Sequence, residues 1–78
     1  GLYSLYERER RKNASLKGRV VFELTILPSG KVASVKIVSS DLNNPALEAR
    51  IMSRIKLFTF APTSGESVTV SYPVEFLP

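Results

Sequence analysis

Seventy-eight residues suffice for one domain, and a chain this short buries only about 60% of the surface its unfolded form exposes. With no Cys and no His there is no disulfide staple, no ordinary zinc site, no thiol nucleophile and no imidazole base, so the core must come from the 44% of residues that are apolar. Eleven Lys and Arg against seven Asp and Glu leave a mildly basic net charge of +4, and no apolar run approaches the ~18 residues of a membrane span.

The first predicted element is a short helix over residues 2–13. Leu2, Leu5 and Tyr6 fall on one side at i, i+3, i+4 spacing and the other side is charged. Residues 18–27 alternate, with Val20, Phe22, Leu24 and Ile26 on one face and Val21, Glu23, Thr25 and Leu27 on the other, which predicts a strand. Pro28-Ser29-Gly30 supplies turn chemistry, and a second strand over 31–39 completes a hairpin. Pairing Leu27 with Val32 sets Glu23 opposite Lys36, Phe22 opposite Ile37, Leu24 opposite Val35 and Ile26 opposite Ala33, so apolar meets apolar along one face. A tighter turn pairing Leu27 with Lys31 would put Lys36 beside the face of Phe22, and the first register is therefore expected.

Asn44-Pro45 opens a second helix, over about 44–58, with Asn as the cap and Pro at the first position. Leu47, Ile51, Ile55 and Phe58 form its apolar stripe, while Glu48, Arg50, Arg54 and Lys56 are expected to face water. Phe58 is expected in the core, and Phe60 in an extended segment beyond Phe58. Residues 67–77 alternate again, Val68, Val70, Tyr72, Val74 and Phe76 against Thr69, Ser71, Pro73 and Glu75. Pro73 cannot donate to a ladder, which confines this third strand to a sheet edge. The order α-β-β-α-β predicts an α+β fold: a three-stranded antiparallel sheet in the order 2-1-3, with both helices on the face lined by Val20, Phe22, Leu24 and Ile26.

Several segments taken together resemble the C-terminal domain of the TonB family of energy transducers. Gly18-Arg19-Val20 opens the first strand as in that family, and Pro28-Ser29-Gly30-Lys31-Val32 is similar to its Pro-Asp-Gly-Arg-Val turn. Val35-Lys36-Ile37-Val38-Ser39-Ser40 resembles its second strand, Asn44-Pro45-Ala46-Leu47 the start of its main helix, and Phe58-Thr59-Phe60-Ala61-Pro62 its aromatic-x-aromatic-x-Pro ending. Val70-Ser71-Tyr72-Pro73-Val74-Glu75-Phe76 resembles the last strand, so the likeness covers about residues 6–77. Two positions depart from the pattern: Phe58 stands where the family usually has Trp, and Tyr6 is followed by Glu7 where the family usually has Tyr-Pro.

The resemblance implies a single periplasmic domain that acts by binding and transmitting force, with no enzymatic activity, cofactor or metal. In the family the full-length protein is anchored in the inner membrane by an N-terminal helix that meets the ExbB–ExbD motor. The C-terminal domain holds the TonB box peptide of an outer-membrane TonB-dependent transporter by strand addition, coupling the proton-motive force to uptake of siderophores, cobalamin or metal complexes. This chain begins with Gly1 rather than Met and is read as a piece of a longer protein, with anchor and spacer outside it. The edge-strand residues implied for the peptide are Thr69, Ser71, Tyr72, Pro73 and Glu75, with further contacts at Tyr6 and Phe60. An interaction module of another envelope machine, for gliding motility or secretion, is the alternative, and exposed edges leave a homodimer open.

Blander readings compete for each of these features. Pro73 also serves as a device that blunts an exposed edge. The basic residues Arg8, Arg10, Arg11, Lys12, Lys17 and Arg19 are interrupted by Glu9 and lack interleaved aromatics, so a solvated face is expected rather than a nucleic-acid footprint. Glu23 and Glu75 share a face, but Lys36 opposite Glu23 predicts a surface pair rather than acid–base chemistry.

Overall fold

The computed structural model describes residues 1–77. Helix α1 (Leu2–Arg10) leads to strand β1 (Gly18–Ile26), which turns into β2 (Val32–Ser40); helix α2 (Pro45–Ile55) follows, then β3 (Val68–Phe76). The sheet order is β2-β1-β3 with both pairs antiparallel, so the α+β fold is as the sequence predicts. Tyr6, Leu16, Val20, Phe22, Leu24, Leu42, Leu47, Ile51, Ile55 and Phe76 make one core between the helices and one sheet face. The molecule is elongated, 44 × 20 × 18 Å.

Both helices stop short of the ranges read from the sequence. Past Arg10 the chain continues as turns, with Lys12 N–H donating to the Glu9 carbonyl at 3.0 Å and Asn13 N–H to the carbonyls of Glu9 and Arg10. Helix α2 ends at Ile55, and Leu57 and Phe58 make i→i−3 bonds to Arg54 and Ile55, the tightened last turn common at helix ends. At the start of α2 the Asn44 side chain accepts from Leu47 N–H at 3.1 Å, and Pro45 occupies the first helical position.

The hairpin resolves the two registers by using both. In its centre Phe22 faces Ile37, Glu23 faces Lys36 and Leu24 faces Val35, as the burial argument requires. At the turn, however, Leu27 N–H donates to the Lys31 carbonyl and Gly30 N–H to the Leu27 carbonyl, both at 2.8 Å. The loop is therefore the tight Pro28-Ser29-Gly30, with Gly30 at φ +94. Ile26 consequently pairs with Val32, not Ala33, and Leu27 does not pair with Val32. Ala33 is the extra residue of a bulge that absorbs the one-residue slip, so Lys36 stays off the core face.

A second bulge expels Val38, which is 59% exposed, and pairs Val21 with Ser39 and Val20 with Ser40. That shift brings the Ser40 hydroxyl to Glu48, to which it donates at 2.6 Å. Glu48 is thus half-buried and bonded rather than facing water, contrary to the helical-wheel expectation.

After α2 the chain runs back along the hairpin turn. Lys31 bridges Thr59, Phe60 N–H donates to the Gly30 carbonyl at 2.8 Å, and Thr63 N–H to the Pro28 carbonyl at 2.8 Å. Phe58 is half-buried at the margin of the core rather than within it, its ring meeting Phe60 and Tyr72 edge-on with centroids 6.4 Å away in each case.

Candidate functional site

Among the described residues strand β3 pairs only with β1, so its outer edge is open along nine residues. Which backbone groups point outward follows from bonds on the other side of β1. Arg19 carbonyl accepts from Asp41 N–H at 2.9 Å, and Leu27 N–H donates to Lys31, so the odd-numbered residues of β1 direct their groups toward β2. Alternation turns the even-numbered ones toward β3. Val20, Phe22, Leu24 and Ile26 lie opposite Val74, Tyr72, Val70 and Val68, which are therefore the bonded pairs of that ladder. Thr69, Ser71, Pro73 and Glu75 are left with their backbone groups facing outward, and Pro73, opposite Val21, needs no donor on the inner side.

The β1–β3 register carries no bulge, whereas β2, at the other edge, is bent at Ala33 and Val38. Bulges twist an edge away from further pairing. Of the two free edges, β3 is thus the regular one, interrupted only by the missing N–H of Pro73. The side chains of Thr69, Ser71, Pro73 and Glu75 are exposed on the sheet face away from the helices. On the helix-bearing face the cover is incomplete. Phe76 is fully buried and Tyr72 and Val74 partly so, but Val70 is 38% and Val68 51% exposed. An apolar shelf therefore adjoins the open edge. The alternating pattern assigned Val68 and Val70 to the core side, and only the short reach of the helices leaves them uncovered.

The remaining sequence-derived candidates separate. Tyr72 turns its backbone inward to Phe22 and its ring toward Phe58, leaving no free main-chain group for a partner. Phe60 is half-buried, with its amide held by Gly30, close to the hairpin turn. Tyr6 is fully buried, its hydroxyl donating to the Leu16 carbonyl at 2.7 Å and its ring 5.1 Å from that of Phe76. It is a core residue, with no surface open to a peptide in this structure. Near it, the Tyr3 hydroxyl donates to the Leu77 carbonyl at 2.6 Å, tying α1 to the end of β3. No composition or spacing signal points to that long-range bond.

Glu23 pairs with Lys36 at 3.1 Å on the open face, while Glu75 stands opposite Arg19. The basic segment is partly engaged, since Glu9 holds Arg50 at 3.0 Å and Lys12 at 3.9 Å. Among the described residues no three His, Cys, Asp or Glu gather in reach of a metal ion, and no helix is long and apolar enough to cross a membrane.

The family model described as Gram-negative bacterial TonB protein C-terminal matches residues 6–78. The chain belongs to that family: it is a periplasmic domain of the TonB type. Among solved structures it is similar to the NMR solution structure of the Helicobacter pylori TonB C-terminal domain (residues 194–285 of that protein). The two share 25% identity with a TM-score of 0.59, over 97% of this chain and 87% of that one. No curated protein matches the chain.

Proposed function

We propose that the outer edge of β3 receives an extended peptide as a fourth strand, and that the peptide is the TonB box of an outer-membrane TonB-dependent transporter. The observation that carries this reading is the regular, one-sided edge with Thr69, Ser71 and Glu75 offering both backbone groups and Pro73 its carbonyl. Main-chain bonding to such an edge gives affinity, and alternate side chains give selectivity. On one face the incoming strand extends the shelf of Val68 and Val70, so apolar residues suit every second peptide position. On the other it meets Thr69, Ser71 and Glu75. Membership of the TonB family supports the further reading that this grip transmits inner-membrane proton-motive force, through an N-terminal anchor and the ExbB–ExbD motor, to uptake of siderophores, cobalamin or metal complexes.

An NMR titration with peptides from transporter N-termini tests the edge directly. Amide shifts are expected along residues 68–76, with little change along β2. Ser71→Pro removes an outward donor and should abolish binding while circular dichroism shows an intact fold. Val70→Pro removes a donor to Leu24 and should unfold the domain. Ser71→Pro that binds as well as the parent would refute strand addition here. Self-pairing of the same edge in a homodimer would appear as the same shifts on raising protein concentration without peptide.

A further inference from the structure

The charge of the molecule is divided unevenly between its layers. Residues 2–12 and 45–56, the two helices with their ends, hold seven Lys and Arg against three Glu. The sheet and loops hold four of each sign, so the helical layer carries the whole net charge of +4. Two of its three carboxylates are already engaged, Glu9 by Arg50 and Lys12, and Glu48 by the Ser40 hydroxyl. Among the described residues no carboxylate lies within ion-pair distance of Arg8, Arg11, Arg54 or Lys56, all of them exposed.

These cations border separate shallow grooves rather than one enclosed cleft: Arg8 and Arg11 beside Tyr3 and Glu7, Arg54 beside Leu5 and Leu57, and Lys56 beside Met52. They are spread over two helices that pack on the same sheet face and therefore look away from it together. Apolar side chains sit among them. Leu57, 77% exposed, stands at the end of α2 beside a shallow groove bordered by Leu5, Arg50 and Arg54, and Tyr3 is half-exposed on α1. A basic face with an exposed Leu and a Tyr at its margins has the make-up of a surface that lies in a lipid headgroup layer. From these features we infer that the helical layer docks on a bilayer rich in anionic phospholipid. A folded acidic partner would call for a shaped cleft, and single-stranded nucleic acid for aromatic rings interleaved with the cations. The inference rests on the fold and charge distribution and is independent of the peptide at β3.

Each Lys or Arg brought to an anionic surface strengthens binding roughly fivefold, an effect confined to about a Debye length. The test is co-sedimentation with vesicles of phosphatidylcholine alone or mixed with phosphatidylglycerol, at low and at high salt. Two triple variants remove the same charge from different faces. Arg8→Gln with Arg11→Gln and Arg54→Gln strips the helical layer, and Lys17→Gln with Lys31→Gln and Lys36→Gln strips the loops and sheet. Circular dichroism checks that both are folded. The parent should bind only the anionic vesicles and release at high salt. The helical variant should bind on the order of a hundredfold more weakly, and the other within a few-fold of the parent. The chain has no Trp, so Leu57→Trp supplies a clean fluorescence probe, expected to shift to the blue on anionic vesicles. Equal losses in both triple variants, equal binding to neutral vesicles, no binding at low salt or an unshifted probe would each overturn the inference. So would binding to a short DNA duplex that exceeds binding to the vesicles.

Discussion

Tyr6 offers the sharpest test of how α1 is held. The residue has no exposed surface and its hydroxyl gives a 2.7 Å bond to the carbonyl of Leu16, itself only 3% exposed. Tyr6→Phe keeps the ring against Phe76 and deletes only the donor. A net hydrogen bond contributes about 1 kcal/mol, while a buried acceptor left without a partner costs about 1–3 kcal/mol because water cannot replace the lost group. We expect a loss near 2 kcal/mol, seen in urea unfolding, or roughly 8–16 °C in Tm for a domain of this size. Tyr3→Phe is the matched control. It deletes an equally short bond, 2.6 Å to the Leu77 carbonyl, at a half-exposed site where water substitutes, and its loss should stay below ~0.5 kcal/mol. Equal losses in the two variants, or a Tyr6→Phe effect below ~0.5 kcal/mol, would refute the claim that burial sets the value of the bond.

Gly30→Ala should be severe, about 3 kcal/mol or more. Its Cβ would lie 1.9 Å from the Phe60 carbonyl oxygen, on a φ of +94 that L-residues avoid, and a small loss in urea unfolding would show that the 59–63 segment is not seated on the turn. Phe58→Ala should cost about 2–3 kcal/mol, less than the ~3–5 kcal/mol expected for Phe22→Ala, because Phe58 is half-buried and Phe22 fully so; calorimetry that ranks them in reverse would place Phe58 in the core after all. Glu23→Lys should shift stability by less than ~1 kcal/mol, since its partner Lys36 is 71% exposed, and an unfolded variant would mean that the sheet faces are exchanged. The Tyr3 phenol should titrate above the ordinary tyrosine range, through partial desolvation and the neighbouring Glu7 carboxylate. Its contribution to stability is complete below about pH 10. It is lost as the pH rises through the folded pKa, and phenolate absorbance compared with Tyr3→Phe would reveal a titration at the ordinary value if the reasoning fails.

Much of the fold was legible because period-two and period-3.6 patterns report which face is buried. Val20, Phe22 and Leu24 against Leu47, Ile51 and Ile55 define two layers before any contact is known. Pro73 placed β3 at an edge for the same kind of local reason, a missing donor. What stayed hidden was decided by competition between distant parts. The turn residues permit either loop and the core favoured the longer register, and neither signal announces that a bulge at Ala33 joins the tight loop to the central pairing. Tyr6 reads equally as an exposed or a buried member of its stripe until Phe76 arrives from the far end of the chain. Phe58 continues the stripe of α2, but the helix ends at Ile55 and the phase is lost with it.

The central position of β1 also has a kinetic side. Its partner on one side is the adjacent β2, reached through a three-residue turn, a pairing that forms on a scale of about 1–10 µs. Its partner on the other side is β3, whose contacts run from Ile26 with Val68 to Gly18 with Phe76, separations of 42 and 58 positions. Loop-closure entropy rises only slowly with length, yet pairing β3 with β1 requires closing the whole connection that carries α2. Until then β1 presents an unpaired edge flanked by Val20, Phe22 and Leu24. Non-local pairing of this kind is intrinsically slow, and an unpaired edge is a template for self-association. A nascent chain ending before Val68 would therefore be the species most in need of a chaperone, and the final nine-residue strand acts as the closure that removes the hazard.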